Sequence, residues 1–323
     1  MTPKAPATSH LSPRITDDGS FSLHSAEFAE GFHSRRGALL EARCTYVRPA
    51  QLERFDAGEE LTLVDVCVGL GTNSAALLEE AAPLGIRLRW FGLEIDPAPL
   101  ALALAEPCFR RQWQPALGLD LLHQLQNSGR WLSPHGRGEM LWGDARQQIE
   151  ALLEQAAGRC DLVMLDAFSP RHCPQLWSEE FLAALSGLLA PRGRLLTYCS
   201  AAAPRRSLAA AGLQLAALRS KAANPGAETG EDLGDDLGDD PNGAWSAGTV
   251  AGPQLEPSSP WWRPLSAMER EHLLSRAGEP YRDPAGRAEA NSILADRLRA
   301  QALSGAEPAS AWRRRWGLPG GAR

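Results

Sequence analysis

The sequence lacks several features that would settle its class at once. No apolar run approaches the roughly 18 residues a membrane span needs, and the opening MTPKAPATSH has no apolar core of a signal peptide. Six cysteines occur in 323 residues (Cys44, Cys67, Cys108, Cys160, Cys173, Cys199), scattered and with no C-x-x-C pair. That spacing argues against a disulfide scaffold and a zinc module; a cytoplasmic, reducing setting without a metal is expected. With 44% hydrophobic, 22% charged and 7% aromatic residues, collagen, coiled coil and full disorder are excluded. A basic excess is missing too: 33 Lys+Arg face 39 Asp+Glu, a net charge of −6. Seven of those acids, from Glu228 to Asp240, lie in one stretch free of Lys and Arg. The remainder is close to neutral, so a local basic surface for nucleic acid stays open.

What the chain does have is an α/β rhythm. Residues 1–15, rich in Pro, Ser and Thr, read as a flexible tail, and a helix begins near Ser34. Apolar runs at Leu61–Val66, Leu88–Ile95, Met140–Trp142, Leu162–Leu165 and Gly193–Cys199 read as strands. Helical patterns cover the segment from Ala75 to Ala81, then Ala98–Leu125, Glu179–Leu189 and Pro204–Ala211. Strands alternating with helices imply parallel βαβ units in a sheet buried on both faces. The last two strands, Leu213–Leu218 and Thr249–Ala251, have no helix between them and pair as an antiparallel hairpin. Residues 222–246 between them are dense in Gly and Asp and read as a disordered acidic insertion. Its GDD repeats lack the bidentate Glu of a calcium loop. One domain over 16–259 is expected, followed by a helical extension over 260–323. Within that extension Ser266 and Glu269 have capping-box spacing. Arg313, Arg314 and Arg315 between Trp312 and Trp316 suit either phosphates and bases or a solvated end.

The chemistry gathers at strand ends. Asp65-Val66-Cys67-Val68-Gly69-Leu70-Gly71-Thr72-Asn73 turns a strand into a helix; its glycines permit close backbone approach to a ligand. Glu94 ends the next strand, 23 residues after Gly71, where a carboxylate can accept both hydroxyls of an adenosine ribose. Asp144 and Asp166 end two further strands. Ligands of open α/β sheets bind at those ends, so several acids in register are hard to explain as solvated turn residues.

This ladder resembles the Rossmann-like class I S-adenosylmethionine-dependent methyltransferases. Asp65 to Gly71 matches their D/E-x-G-x-G-x-G with Cys67 in place of the first glycine, and Leu189-Ala190-Pro191-Arg192-Gly193 is similar to their L-x-P-G-G turn. The resemblance implies a seven-stranded, mostly parallel sheet with a terminal antiparallel hairpin, and S-adenosylmethionine as cofactor. Leu165-Asp166-Ala167-Phe168-Ser169-Pro170, followed by Pro174, Leu176, Trp177 and Phe181, resembles more narrowly the methyltransferase domain of the MnmC family. Phe32, Ser34, Gly37 and Glu41 upstream, and Ser200-Ala201 with Arg205-Arg206-Ser207-Leu208, extend the likeness over about Asp18 to Ala251.

The MnmC resemblance implies methyl transfer to the aminomethyl nitrogen of 5-aminomethyl-(2-thio)uridine at the tRNA wobble position, with the anticodon loop as partner. It makes Asp65, Gly69, Gly71, Asn73, Glu94, Asp144 and Asp166 the expected cofactor residues. Asp166 would orient the amine, with Phe168 stacking on the target base and His33 a candidate proton acceptor. Pro170, Arg205 and Arg206 are the expected tRNA contacts. Two other readings stand beside this one: a methyltransferase of a small amine or acid, and a relative that binds cofactor or RNA without turnover.

Overall fold

Sixteen residues into the chain, where a loose tail was expected to end, a small sheet is already complete in its first strand. The computed structural model describes residues 10–114, 116–219, 247–257 and 259–318; the acidic insertion over 222–246 lies outside them. Strand β1 (Leu11–Ile15) pairs antiparallel with β2 (Phe21–Ser25), which pairs with β3 (Glu30–Gly31). Residues 11–15 are therefore part of the fold, a correction to the expected tail. The β1 side chains are largely exposed, so backbone pairing rather than apolar burial makes this edge. The chain divides into two units, one of residues up to Ala151 plus Cys160–Phe168, the other of Leu152–Arg159 plus Ser169 onward.

In the first unit, α1 (Ala38–Glu41) starts four residues after the Ser34 expected from sequence and runs through a π-helical turn, Ala42–Val47, into α2 (Arg48–Ala50). Strand β4 (Glu60–Val66) is buried at every position after the first, as a central parallel strand must be. It is followed by α3 (Thr72–Ala81) and β5 (Arg87–Glu94). The single helix expected over 98–125 is three: α4 (Ala98–Ala105), α5 (Pro107–Arg111) and α6 (Leu117–Ser128). Pro107 forces the break, because the residue before proline is pushed out of the α region; Glu106 is extended at φ −82°, ψ 123°. Then come β6 (Arg130–Ser133), β7 (Gly136–Trp142), α7 (Ala145–Ala156) and β8 (Cys160–Leu165). The strands run β8-β4-β5-β7-β6, parallel except for β6, which forms a hairpin with β7.

The second unit holds α8 (Glu179–Leu188), β9 (Leu189–Thr197), α9 (Ala202–Ala210), β10 (Gln214–Leu218) and β11 (Thr249–Gly252). Ser178 caps α8 by accepting the Phe181 N–H. Strands β10 and β11 form the expected antiparallel hairpin, and β11 pairs antiparallel with β9. Beyond them, β12 (Trp262–Pro264) adds to β10, so the extension expected to be helical begins with a strand. Helices α10 (Ala267–Leu274), α11 (Ala290–Leu303) and α12 (Ala309–Arg315) complete it, and Ser266 and Glu269 do form the capping box. The short edge strands β6 and β12 are additional to the seven expected. Among the described residues no helix is long and apolar enough to cross a membrane.

Candidate active site

After β4 the backbone makes a turn that few side chains tolerate. Cys67, Gly69 and Gly71 all have positive φ, at 67°, 56° and 77°. A Cβ on Gly69 would lie 3.2 Å from Phe32, and one on Gly71 would run into Leu122. Cys67 has no such freedom, so its left-handed backbone costs about 1–2 kcal/mol.

Two carboxylates brace this turn through hydrogen bonds. Asp65 is fully buried and accepts the Ser74 hydroxyl at 2.5 Å, while Ser74 accepts the Trp90 indole N–H at 2.6 Å. Asp65, expected to touch a cofactor, is thus a strut beneath the turn. Ser74, where a glycine or alanine would be usual, is what ties it. Burial, opposed by that hydrogen bond and aided by the charges of Asp166 and Glu94, pushes the Asp65 carboxyl up to about 7. Glu94 accepts the N–H groups of Gly69 (2.8 Å), Ile95 (2.7 Å) and Asp96 (2.9 Å). Its carboxyl is also raised, by burial first.

At the end of β8, Asp166 is half-buried and both its oxygens are engaged. The Tyr46 hydroxyl donates to one at 2.7 Å and the Asn73 amide to the other at 2.7 Å. Sequence reasoning missed Tyr46. It is fully buried and sits on the π-helical turn, a feature often found at functional sites. Asn73, on the first turn of α3, was expected, and its carbonyl Oδ1 is buried without a hydrogen-bond partner. Burial raises the Asp166 carboxyl, outweighing the two donors. Glu41, the last residue of α1, accepts the Ser34 N–H at 2.8 Å; burial and then the charge of Asp166 push its carboxyl up as well. Phe168 lies close by in sequence, its ring stacked on Phe28 at 4.4 Å and meeting Phe32 edge-on at 5.1 Å.

Other expected residues are placed differently. His33 is buried, with Nδ1 3.0 Å from the Ser22 hydroxyl. Burial and then the Arg14 charge hold it down at about 4, so the neutral imidazole is the favoured form. The Asp144 carboxylate is claimed by Arg146, with an ion pair at 2.6 Å. In the second unit, Arg205 is fully buried and donates to Glu269 (3.1 Å), Thr249 (2.8 Å) and the Gly248 carbonyl (2.9 Å); it cannot grip a phosphate. Arg206 is exposed, with a long 3.4 Å contact to the Gly278 carbonyl, and Pro170 is buried. A cavity of about 480 Å³ lined by Arg276, Arg297, Leu298 and Gln301 among others contains none of the expected site residues.

Comparison with known proteins shows what this chain is similar to. A family described as S-adenosyl-L-methionine-dependent methyltransferase matches residues 135–224. The tRNA 5-methylaminomethyl-2-thiouridine biosynthesis bifunctional protein MnmC of Pseudomonas aeruginosa is 34% identical over 203 residues, 59% of this chain and 30% of that protein. Its counterpart in Caulobacter vibrioides is 32% identical over 227 residues, 67% of this chain and 36% of that one. The chain spans about a third of the length of these curated relatives. The crystal structure of MnmC2 from Aquifex aeolicus is similar over 93% of this chain and 87% of that one, with a TM-score of 0.68 and 25% identity.

Proposed function

We propose that this chain, a member of the S-adenosyl-L-methionine-dependent methyltransferases of the MnmC type, methylates the aminomethyl nitrogen of 5-aminomethyl-(2-thio)uridine at the tRNA wobble position. When bound, the cofactor supplies a methyl carbon made electrophilic by a positively charged sulfur. The residues present fit it. The buried, unpartnered Asn73 Oδ1 is an acceptor left for an ammonium or hydroxyl donor. The positive φ of Gly69 and Gly71 makes the tight turn that leads into α3. Glu94 gives three of about four acceptor positions to backbone N–H groups, so it has one left for a ribose hydroxyl rather than the two expected.

The hydrogen bond from Asn73 to Asp166 carries this reading, because it couples the cofactor turn to the carboxylate that would face the amine. In-line transfer needs amine, methyl carbon and sulfur aligned to within a fraction of an ångström. An aspartate clamped at both oxygens supplies such a fixed direction. The same negative charge raises the amine's own pKa, so Asp166 positions the nitrogen rather than deprotonating it. A base stacked on Phe168 takes the place of the Phe28 ring, which covers one face of it. Arg206 remains available for a phosphate; Arg205 does not.

Nucleoside mass spectrometry of tRNA from cells with and without the gene tests the proposal. Deletion is expected to accumulate 5-aminomethyl nucleosides, restored to the methylated form by the wild-type gene. An unchanged profile rejects this substrate.

A further inference from the structure

Three phenylalanines of the first unit form a cluster that ends on the turn after β4. The Phe32 ring lies against Gly69, where an added Cβ would stand 3.2 Å from it, and it meets Phe168 edge-on at 5.1 Å. Phe28 lies flat on the same Phe168 ring, with 4.4 Å between centroids and 18° between planes. Both stacked rings are half-buried. Phe168 follows Asp166 by two residues, just past the end of β8. Phe28 belongs to the turn at residues 26–29, between β2 and β3. Ala26, Glu27 and Ala29 of that turn are exposed, and Ala29 holds a left-handed φ of 50°. The Phe28 N–H donates to Ser25 Oγ at 3.3 Å and the Ala26 N–H to the His10 carbonyl at 2.7 Å, while β3 is held to β2 through Glu30 and Gly31. An exposed turn on so short a strand is the kind of segment that opens at low cost.

We propose that Phe28 is a specificity-determining residue for a flat base: it moves outward with its turn as the target uridine settles on Phe168, then covers the uridine's other face. The assignment rests on the substrate being the wobble uridine, as proposed above. The nearly parallel rings already have the orientation of the two walls of such a slot. A base is about 3.4 Å thick and needs walls about 7 Å apart, so the pair opens by about 3 Å from its present 4.4 Å. Phe32 keeps Phe168 from following, because it meets that ring edge-on and rests on Gly69, whose N–H is held by Glu94 at 2.8 Å. The plane of the base is thereby referred to the turn after β4. Opening exchanges one ring–ring stack for two base–ring stacks, so the flat π surface of the base drives it. A small alkylamine brings no such surface and leaves the pair closed, which separates a tRNA base from the aliphatic amines that share its reactive group.

Phe28→Tyr keeps a ring, and Phe28→Leu keeps apolar bulk without one. With an anticodon stem-loop carrying 5-aminomethyluridine, KM is expected to rise about tenfold for Phe28→Leu, with kcat falling much less, and to stay within about threefold of wild type for Phe28→Tyr. A side chain that only shields Phe168 from water would be replaced by leucine without loss. A second readout needs no turnover: a stem-loop with a fluorescent pyrimidine at the wobble position, whose emission is quenched by stacking. Saturating wild-type protein is expected to quench it, and Phe28→Leu to quench it less. Phe28→Leu at wild-type KM, quenching equal in the two proteins, or no quenching by wild type overturns the assignment, even where wild type methylates the stem-loop. Should wild type leave the stem-loop unmethylated, the substrate reading falls; ring-dependent quenching then still supports Phe28 as a base-stacking residue, and its absence removes both.

Discussion

Replacing Arg205 by alanine separates two meanings of a paired arginine motif. Arg205 and Glu269 are each 1% exposed, and Glu269 also takes Arg263 at 2.6 Å. Breaking a buried pair by deleting one partner costs about 3–5 kcal/mol, because the other charge stays desolvated. Here Arg263 still covers Glu269, which draws the cost toward the lower end. Against that, Thr249 loses its donor and keeps only its own bond to the Cys199 carbonyl at 2.6 Å, and the Gly248 carbonyl loses one too. A net loss of about 3–4 kcal/mol corresponds to roughly 6–16 °C in Tm for a unit of this size. Calorimetry and urea unfolding measure it, with Arg206→Ala as a surface control expected within about 0.5 kcal/mol of wild type. Acid should erode the same pair. The Arg263 and Arg205 interactions outweigh burial and hold the Glu269 carboxyl below its usual 4.5. Its stabilisation is therefore present above pH 4.5 and lost as the pH falls through the lower folded value. An Arg205→Ala protein with an unchanged Tm and weakened tRNA binding would refute all of this and return Arg205 to the RNA surface.

Cys67→Gly relieves a left-handed backbone but gives the unfolded chain more freedom; a net gain of about 0.5–1 kcal/mol is expected in urea unfolding, and a loss would mean that the thiol's packing outweighs the strain. Tyr46→Phe removes a donor that lowers the Asp166 carboxyl. A hydrogen bond to a charged group is worth about 1.5 kcal/mol or more, so the acid limb of the pH profile should rise by about one unit, and an unmoved limb excludes Tyr46 from tuning Asp166.

The strand-end acids were legible because a parallel strand announces itself as a short apolar run, and its end as the first polar residue after it. Leu165 to Asp166 shows this directly, whereas Asp65 lies within its strand, one residue before the end. Partners were less visible. Tyr46 and Asp166 are 120 residues apart, and a buried tyrosine with a purposeful hydroxyl looks in sequence like any core tyrosine. Ser74 did carry a signal, since it stood where a small residue was expected, but its meaning needed Asp65 and Trp90 beside it. The misreading of His33 came from the same source: an imidazole is a plausible base until Ser22, Arg14 and burial are known. Adjacent residues of a helix differ by about 100° in direction, so Arg205 and Arg206 could never share one role. Glu269 on α10 is what holds Arg205 inward, and only the structure shows the pair.

Glu41, Asp65, Glu94 and Asp166 share one electrostatic property. Burial raises all four carboxyls, and they are linked in a chain, Glu41 to Asp166, Asp166 to Asp65, Asp65 to Glu94, each link a repulsion. The Arg14 charge favours the Glu41 anion, whereas the second unit surrounds Glu269 with two guanidinium groups at 3.1 and 2.6 Å. The difference between the two solutions is informative. Where the protein needs only to stay folded, it supplies the countercharge itself. In the first unit burial leaves all four carboxyls easier to protonate than ordinary carboxylates.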